Sequence, residues 1–392
     1  MNDQPTQDDA LPLSTTVGSE ITGCAWWVSA AALALVAILL FSPARATWHS
    51  AYGARWLYIL VVSCLAAFGL TPVVGRLAQA TGVLDHPNAR KVHKAPTPLL
   101  GGLAVYLAFL TAILANSILD RQVVAILIGG SLLVVAGIVD DVRGLPARIK
   151  LLAQLLATAI VIISGVKLTL FSRWTFGGLP DGVLTILWLL GITNAMNFFD
   201  GMDGLATGLG IITASFLGLF AFLSVQPFLG WFAAAIVGSC LGFLPFNFRW
   251  KRPAMIFLGD SGSTFLGFVL AALAIKGEWA ANDVVDLAAP VLIFWVFVYD
   301  MTYITAARIL TGKVRTFHEW IAYVGKDHLH HRLASLLGSK RQAVLLVYLF
   351  SACMGVAAIV LVKAGPVQAT LLIAQALLIS VVFSVLEQAG NK

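Results

Sequence analysis

The chain has 392 residues, of which 59% are hydrophobic and only 11% are charged, and its mean hydropathy is +0.90. Soluble globular proteins carry charge on about a quarter of their residues, so this composition excludes a soluble protein and indicates an integral membrane protein. The formal net charge of +6 does not by itself indicate nucleic acid as a partner, because the basic residues of such a chain must lie in loops, where they set its orientation.

A polar segment without Lys or Arg opens the chain, at residues 1–23. It lacks the basic region of a cleavable signal peptide, and we expect it to be disordered. The apolar run that follows, at 24–42, is therefore predicted to remain in the protein as a transmembrane helix.

Apolar runs recur along almost the whole chain. A hydrocarbon core of about 30 Å takes about 20 helical residues to cross, and the runs predict an all-α bundle of twelve spans. They lie near residues 24–42, 56–76, 100–118, 122–139, 149–165, 182–193, 205–224, 230–247, 262–280, 287–308, 342–362 and 367–386.

The basic residues are unevenly divided between the two sets of alternate loops, with 17 Lys and Arg in one set and 7 in the other. By the positive-inside bias the richer set is cytoplasmic; it lies near residues 76–98, 140–150, 193–204, 249–260 and 308–341. Six of the seven histidines fall in the same loops. A transporter would place several titratable groups at mid-bilayer, where Asp300 is the main candidate, so the distribution favours chemistry at the cytoplasmic surface.

The first polar motif is DHPNARKVHKAPTPLLGG, residues 85–102. Its three prolines and its closing glycines predict a loop, and the loop carries Lys94 among other basic residues. An ordinary juxtamembrane segment that attracts anionic lipid would have the same composition.

The second motif, GIVDDV, places Asp140 and Asp141 at the cytoplasmic end of the fourth span. Adjacent carboxylates repel each other unless a cation or a proton lies between them. At the membrane edge, however, hydration alone could satisfy both.

The third motif, NAMNFFDGMDGLATG, repeats an amide or an acid every three residues at Asn194, Asn197, Asp200 and Asp203. Its glycines disfavour a regular helix, and a bent segment would let the four groups face one pocket beside the free N–H groups of the helix that begins at 205. The alternative is a solvated turn with Asp203 as an N-cap.

Two further motifs lie before and at the start of the ninth span. Asn247 in PFNFRWKRPA is a candidate for contact with a nucleotide base, although the segment could be only a basic stop. In FLGDSGSTFLGF, Asp260 is either a helix cap or a ligand. The motif carboxylates lie at one depth on one face, and Mg²⁺, which binds through one or two carboxylates plus substrate phosphates, is the expected cation.

The last motif, GKDHLHHRL, supplies His328, His330, His331 and Arg332. Donor groups of this kind suit a pyrophosphate, with Arg332 as a two-pronged donor. A zinc site is a weaker alternative because no cysteine is near, and a basic patch for lipid headgroups is another.

In this order the motifs resemble those of the polyprenyl-phosphate N-acetylhexosamine-1-phosphate transferases. The HLHHRL form is more similar to the WecA-type branch than to the MraY branch. The resemblance runs from about residue 56 to 386, which would be the integral membrane transferase domain. It implies about eleven core spans, so the helix at 24–42 would be one extra N-terminal span.

The resemblance implies transfer of a sugar phosphate from UDP-N-acetylhexosamine to polyprenyl phosphate, with release of UMP, at the cytoplasmic face of a bacterial inner membrane. Asp260 would be a ligand of Mg²⁺, or of Mn²⁺, with Asp140 and Asp141 as the other carboxylates of a three-carboxylate metal site. Asp140 would also be the base, with Asp141 beside it. Other residues would line the nucleotide pocket or hold phosphates: Asn197, Asp200, Asp203, Asn247, Lys94, His328, His330 and His331. Membrane lipid is a further expected partner, and a homodimer is left open.

Two other classes of protein remain as alternatives. A secondary transporter or flippase of lipid-linked sugars would show charges at mid-bilayer and repeat symmetry. An alcohol phosphatidyltransferase would use a nucleotide-linked lipid. Product analysis separates the three, since they release UMP, no nucleotide or CMP.

Overall fold

The structure is a computed structural model that describes residues 25–41, 54–86, 96–171, 178–316, 319, 325 and 327–390. The tail predicted at 1–23 and Lys94 lie outside these residues. The described part is almost entirely helical, which confirms the all-α class. Its helices are α1 (Ala25–Phe41), α2 (Arg55–Ala80), α3 (Gly101–Ala115), α4 (Arg121–Arg143), α5 (Ala147–Ile163), α6 (Gly178–Phe199), α7 (Leu205–Leu223), α8 (Pro227–Asn247), α9 (Gly259–Lys276), α10 (Asp283–Ile293), α11 (Trp295–Leu310), α12 (Leu329–Leu337), α13 (Lys340–Val360) and α14 (Pro366–Gly390).

Each of the twelve predicted apolar runs coincides with a helix or, in one case, with a pair of helices. Within the described residues, seven helices are long and apolar enough to cross a membrane, or eight if the bent pair is counted as one span. Helices α1 and α3 are apolar but shorter. The chain is therefore a multi-pass membrane protein, while the prediction of about eleven core spans is not confirmed.

The run predicted as one span at 287–308 is broken. Helices α10 and α11 meet at an angle of 80°, with Phe294 between them. Pro290 lies inside α10 and lacks the N–H that a continuous helix would use. The break sends α11 off in a new direction, and α11 leads to the histidine motif.

Glycine contacts bring α4 and α9 together at the end that carries the acidic motifs. A Cβ added to Gly137 of α4 would lie 2.3 Å from Cα of Ser261, and one added to Gly102 of α3 would lie 2.1 Å from N of Gly262. Only glycine permits backbones to approach this closely. The packing therefore places the carboxylates at the end of α4 beside the first turn of α9.

The loop predicted at 85–102 is held at both ends. Strands β1 (Leu84–Asp85) and β2 (Thr97–Pro98) pair in antiparallel orientation. After β2, the amides of Gly101 and Gly102 donate to the carbonyls of Phe257 and Leu258 at 3.0 and 2.7 Å. The start of α3 is thus fixed to the segment that leads into α9.

The extra N-terminal helix α1 packs along α2. The Tyr58 hydroxyl donates to the Leu39 carbonyl at 3.0 Å, and Leu33 occupies the space that a Cβ on Gly69 would need. At the other end of α1, the guanidinium carbon of Arg76 lies 4.4 Å from the centroid of the Trp26 ring. Helix α1 is therefore an integral part of the bundle.

Candidate active site

Two carboxylates from distant parts of the chain converge on one ammonium group. Lys150 Nζ, in the first turn of α5, lies 2.5 Å from Asp140 Oδ2 and 2.8 Å from Asp260 Oδ2. The backbone N–H of Leu145 also donates to Asp140 Oδ1 at 2.5 Å. The ends of α4, α5 and α9 thus form one polar centre.

Asp141 has a different partner from its neighbour Asp140. Its two oxygens accept from the backbone N–H groups of Asp260 at 3.0 Å and Ser261 at 3.3 Å. Those N–H groups belong to the first turn of α9, which has no intrahelical acceptor for them. Asp141 therefore caps α9 from another helix and fixes the backbone that carries Asp260.

The two asparagines of the third motif lie on α6, which stays helical to Phe199, contrary to the predicted bent segment at that point. Asn197 Nδ2 donates to Asp260 Oδ1 at 3.0 Å and to Ser263 Oγ at 2.9 Å. Asn194 instead exchanges hydrogen bonds with Gln154 of α5, at 2.8 and 3.2 Å. Asn197 belongs to the polar centre, whereas Asn194 joins α6 to α5 behind it.

Asp200 and Asp203 follow α6 in the turn before α7. Asp200 lies against the Gly259 amide, and burial raises its pKa well above the ordinary value, with further increases from the Asp260 and Asp141 carboxylates. Asp203 Oδ2 accepts from the Ala254 N–H at 2.9 Å. It does not cap α7, whose N-cap is Gly204 with a positive φ of 76° and no side-chain cap bond.

Asn247 lies behind the site instead of on its surface. Its side chain is buried, its oxygen accepts from Thr207 Oγ1 at 2.9 Å, and its amide donates to the Ile256 carbonyl at 3.1 Å. It therefore braces α7 and α8 against the segment before α9. Contact with a nucleotide base remains a prediction.

The histidine motif is anchored to α11. His328 Nδ1 lies 2.7 Å from Asp300 Oδ2, and the Leu329 N–H donates to Asp300 Oδ1 at 2.7 Å. The His328 ring also stacks on Phe198, with centroids 4.7 Å apart. Arg332 lies over the Tyr303 ring at 4.0 Å and approaches Asp300 Oδ1 at 4.0 Å. Asp300, the main candidate for a charge at mid-bilayer, therefore anchors the histidine motif.

His330 and His331 lie next to the acidic turn. A Cβ added to Gly201 would be 3.0 Å from His330 Nε2 and 3.6 Å from His331 Nε2, and the two histidine rings are 4.2 Å apart. His330 is fully buried, and neither ring nitrogen has a hydrogen-bond partner among the described residues. Burial holds the pKa of His330 well below its ordinary range, with the neighbouring His331 and His328 adding to the effect, so it is a neutral hydrogen-bonding group and not a cation.

A small, open cleft lies at the polar centre between α4, α5 and α9. Its polar end carries Asp140, Lys150 and Asp260, and the rest is formed largely by small and apolar side chains. These include Leu133, Ala136, Gly137 and Ala153. A molecule with a charged head and an apolar tail matches this distribution.

The predicted three-carboxylate metal site takes a different form here. Within the described ranges, no group of three His, Cys, Asp or Glu side chains is arranged to hold a metal ion. Asp141 is occupied by the N–H groups of α9, and Asp140 and Asp260 meet at Lys150. Since these two present hard oxygen donors to a single cation, they fit Mg²⁺, which takes one or two carboxylates from the protein.

Sequence reasoning missed Lys150 as a member of the site. In ARIKLLAQLL it stands at the edge of an apolar run and was grouped with the basic residues that set orientation. Lys150 lies in the first turn of a predicted span, about ten residues after Asp140 and Asp141. That proximity is the feature of the sequence that could have indicated a contact with a carboxylate. Nothing in the sequence indicated that Lys150 would lie between Asp140 and Asp260, because Asp260 is 110 residues further along the chain.

Comparison with known proteins adds independent evidence. Residues 123–278 match the model of the glycosyl transferase family 4. The chain is 35% identical to a probable undecaprenyl-phosphate N-acetylglucosaminyl 1-phosphate transferase of Bacillus subtilis over 317 residues, which cover 79% of this chain and 86% of that protein. The chain belongs to the polyprenyl-phosphate hexosamine-1-phosphate transferase family. This finding confirms the resemblance carried by the motifs.

Two other relatives show the breadth of this transferase family. A decaprenyl-phosphate N-acetylglucosaminephosphotransferase of Mycobacterium leprae is 32% identical over 331 residues, or 74% of this chain and 79% of that protein. A phospho-N-acetylmuramoyl-pentapeptide-transferase of Listeria monocytogenes is also 32% identical, over 253 residues that cover 57% of this chain and 77% of that protein. The match to the former type covers more of the chain.

Proposed function

We propose that the protein transfers N-acetylhexosamine-1-phosphate from a UDP-sugar to undecaprenyl or another polyprenyl phosphate and releases UMP. Relatives named for polyprenyl-phosphate N-acetylglucosamine-phosphate transfer support the reaction class. The observation that carries the proposal is the cleft that holds Asp140, Lys150 and Asp260 at one end and is lined elsewhere mostly by small and apolar residues, with Gln154 and Thr264 among them. Such a cleft suits a lipid phosphate that enters from the membrane.

The acceptor would lie with its phosphate at the polar end and its first isoprenoid units against α4 and α5. Lys150 is then the cation nearest to the incoming phosphate, and its ammonium offers three donors. Leu133, Ala136 and Ala153 give this part of the cleft an apolar surface, which suits a hydrocarbon chain.

The donor would lie on the opposite side of the same centre, between the acidic turn after α6 and the histidine motif. His330 has two ring nitrogens without a protein partner among the described residues and lies over Gly201. A buried polar group of this kind is normally satisfied by a partner. A diphosphate or sugar hydroxyl group would supply it, with His331 and Arg332 beside it.

In the reaction, an oxygen of the lipid phosphate attacks the phosphorus that carries the sugar, and the bond from that phosphorus to the bridging oxygen of UMP breaks. Both reactants are anions, so the protein contributes mainly by positioning them and reducing their repulsion. Asp140 is the candidate base, but a phosphate monoester is already mostly ionised near neutral pH, so this contribution is small. When bound, Mg²⁺ at Asp140 and Asp260 would neutralise charge on the phosphates.

We place the reaction at the cytoplasmic face of a bacterial inner membrane, where it would start assembly of a cell-surface glycan such as O-antigen, exopolysaccharide or a teichoic-type polymer. The loop charges favour this orientation. The described site residues also lie at one end of the bundle. Asp140 is at the end of α4 opposite to Asp120, and Asn197 is at the end of α6 opposite to Asp181.

The test is a transfer assay with the purified full-length protein in detergent or nanodiscs. It combines a panel of UDP-N-acetylhexosamines, undecaprenyl phosphate and Mg²⁺, and it measures UMP together with the lipid-linked sugar. We expect both products, and we expect Asp260→Asn to abolish them while leaving the protein folded. The matched control is Asp120→Asn, which changes an aspartate at the opposite end of α4 and should transfer normally.

The other outcomes identify the rival functions. CMP release from a nucleotide-linked lipid would show an alcohol phosphatidyltransferase. Movement of a lipid-linked sugar across vesicles without nucleotide release would show a flippase or transporter. Normal transfer by Asp260→Asn would contradict the role assigned to that carboxylate while leaving the reaction class intact.

A further inference from the structure

Asp300 is the carboxylate around which the histidine motif is built. It lies in α11, its side chain is fully inaccessible to solvent, and both of its oxygens are used. One oxygen faces His328 Nδ1 and the other accepts the Leu329 N–H, each at 2.7 Å. Its partners thus come from two consecutive residues of the motif, about 28 positions later in the chain.

We propose that Asp300 is the positioning residue for His328, an inference that rests on the proposed transfer reaction. An ionised carboxylate can only accept hydrogen bonds, so the ring nitrogen that faces it must be the donor. This fixes the orientation of the imidazole and leaves Nε2 as the nitrogen that is available to a substrate. Without Asp300 the ring would lose both its tautomer preference and its anchor.

The cost of burying a carboxylate supports a specific role. A buried charge must be paired and fully hydrogen-bonded to be tolerated. The structure satisfies Asp300 with groups of the histidine motif, with Arg332 Nη2 at 4.0 Å as the nearest cation. If the carboxylate served only to pack α11, an apolar residue at position 300 would do so without this cost.

A second ion pair holds the other side of the same segment. Arg308, two turns after Asp300 on α11, donates through Nε and Nη2 to the two oxygens of Asp327 at 2.8 and 2.7 Å. A two-pronged pair of this kind fixes direction as well as distance. Asp327 directly precedes His328, so α11 grips the chain on both sides of that histidine.

The position of His328 is also fixed relative to the acidic turn. Its ring stacks on Phe198 at a centroid distance of 4.7 Å, and Phe198 is two residues before Asp200. The imidazole therefore lies between α11, which supplies its hydrogen bond, and the end of α6, which supplies its stacking partner. A substrate phosphate held by His328 would be placed relative to the carboxylates on the other side.

A double-mutant cycle in the transfer assay tests the proposal. The enzymes are wild type, Asp300→Asn, His328→Ala and the double variant, and kcat, the KM for the UDP-sugar and the unfolding temperature are measured for each. Partners that orient a functional histidine contribute on the order of 10- to 100-fold, so we expect each single variant to lose about that much. Because Asp300 acts through His328, the double variant should be no worse than His328→Ala.

The matched control is Asp181→Asn. Asp181 is also a buried aspartate that accepts a backbone N–H, from Phe171 at 2.9 Å, but it lies at the opposite end of α6. We expect it to lower the unfolding temperature without changing kcat, and its combination with His328→Ala to give the product of the two single effects. This distinguishes a local role from general destabilisation.

Asp327→Asn is a second test if Asp300→Asn does not fold, because Asp327 is partly exposed and an asparagine oxygen can still accept a hydrogen bond from the buried guanidinium of Arg308. It should show a smaller loss that likewise disappears in the His328→Ala background. Losses that multiply in the double variants, or full activity of a folded Asp300→Asn enzyme, would overturn the inference. Absence of transfer in the wild type would instead refute the proposed function.

Discussion

Lys150 balances two carboxylates, and its removal has a calculable effect. Its ammonium touches Asp140 Oδ2 at 2.5 Å and Asp260 Oδ2 at 2.8 Å, so the two carboxylates are at most about 5 Å apart. Two like charges at about 5 Å repel each other by about 3 kcal/mol at an effective dielectric constant of 20. Because 37% of the Lys150 side chain is exposed, solvent screening reduces this figure to about 1–2 kcal/mol.

The variant Lys150→Met should therefore unfold at a temperature about 1–2 °C below that of the wild type when divalent cations are chelated. Addition of Mg²⁺ should raise the unfolding temperature of Lys150→Met by more than that of the wild type, since the ion no longer has to displace an ammonium. The assay is thermal unfolding of the purified protein in detergent, with EDTA or with a Mg²⁺ series.

The matched control is Lys276→Met, which removes the partner of Asp120 at 2.8 Å at the opposite end of α4 and should show no rescue by Mg²⁺. Equal unfolding temperatures of Lys150→Met and wild type in EDTA would refute the charge-balance reasoning. If Mg²⁺ shifts neither protein, then Asp140 and Asp260 do not hold a divalent cation.

Three further predictions concern pH and packing. Burial holds the pKa of His330 well below the ordinary histidine value of about 6.5, so the unfolded chain binds more protons below about pH 6.5 and stability falls as the pH drops. His330→Gln should reduce that slope by up to about 1.4 kcal/mol per pH unit. An unchanged dependence of the unfolding temperature on pH would contradict this. Arg308 lowers the pKa of Asp327 by hydrogen bonding. The ion pair therefore stabilises the fold above the ordinary carboxyl pKa of about 3.9, and this stabilisation is lost as the pH falls through the lowered pKa. The difference in unfolding temperature between wild type and Asp327→Asn should be constant near neutral pH and should disappear in acid. Gly137→Ala should reduce transfer and stability together because its Cβ would meet the backbone of α9, whereas Gly191→Ala, which has open space around its Cβ, should do neither; similar results for the two would count against close α4–α9 packing as the determinant of the site.

The helices could be located from the sequence because apolar runs of membrane length are a strong local signal. The run at 287–308 shows the limit of that signal. Pro290 does not interrupt its hydrophobicity, so the break before Trp295 is invisible to composition and depends on how the two halves pack. The number of helices that cross the membrane depends on tertiary placement in the same way.

The acidic and histidine motifs could be found because polar residues are rare in such a chain, but their pairing could not. Asp140 and Asp141 are neighbours in sequence with opposite tasks, since one faces Lys150 and the other caps α9. Asn247 is an interface residue by position but is buried by its contacts with Thr207 and Ile256. The contacts of Asn247 with Thr207 and of Asp141 with the start of α9 join helices that are 40 and about 120 residues apart, which no local pattern encodes.

The sharp turn between α10 and α11 has a consequence for how this protein can vary. His328, His330 and His331 follow α11 in the chain, and the direction of α11 is set by the break at Phe294. Asp300 and Arg308 of α11 hold the histidine motif through hydrogen bonds to His328 and Asp327. The carboxylates are carried by the rest of the body, where glycine contacts fix them. A change in the direction of α11 would therefore shift these three imidazoles together relative to the carboxylates, without any substitution at Asp140, Asp141 or Asp260 themselves.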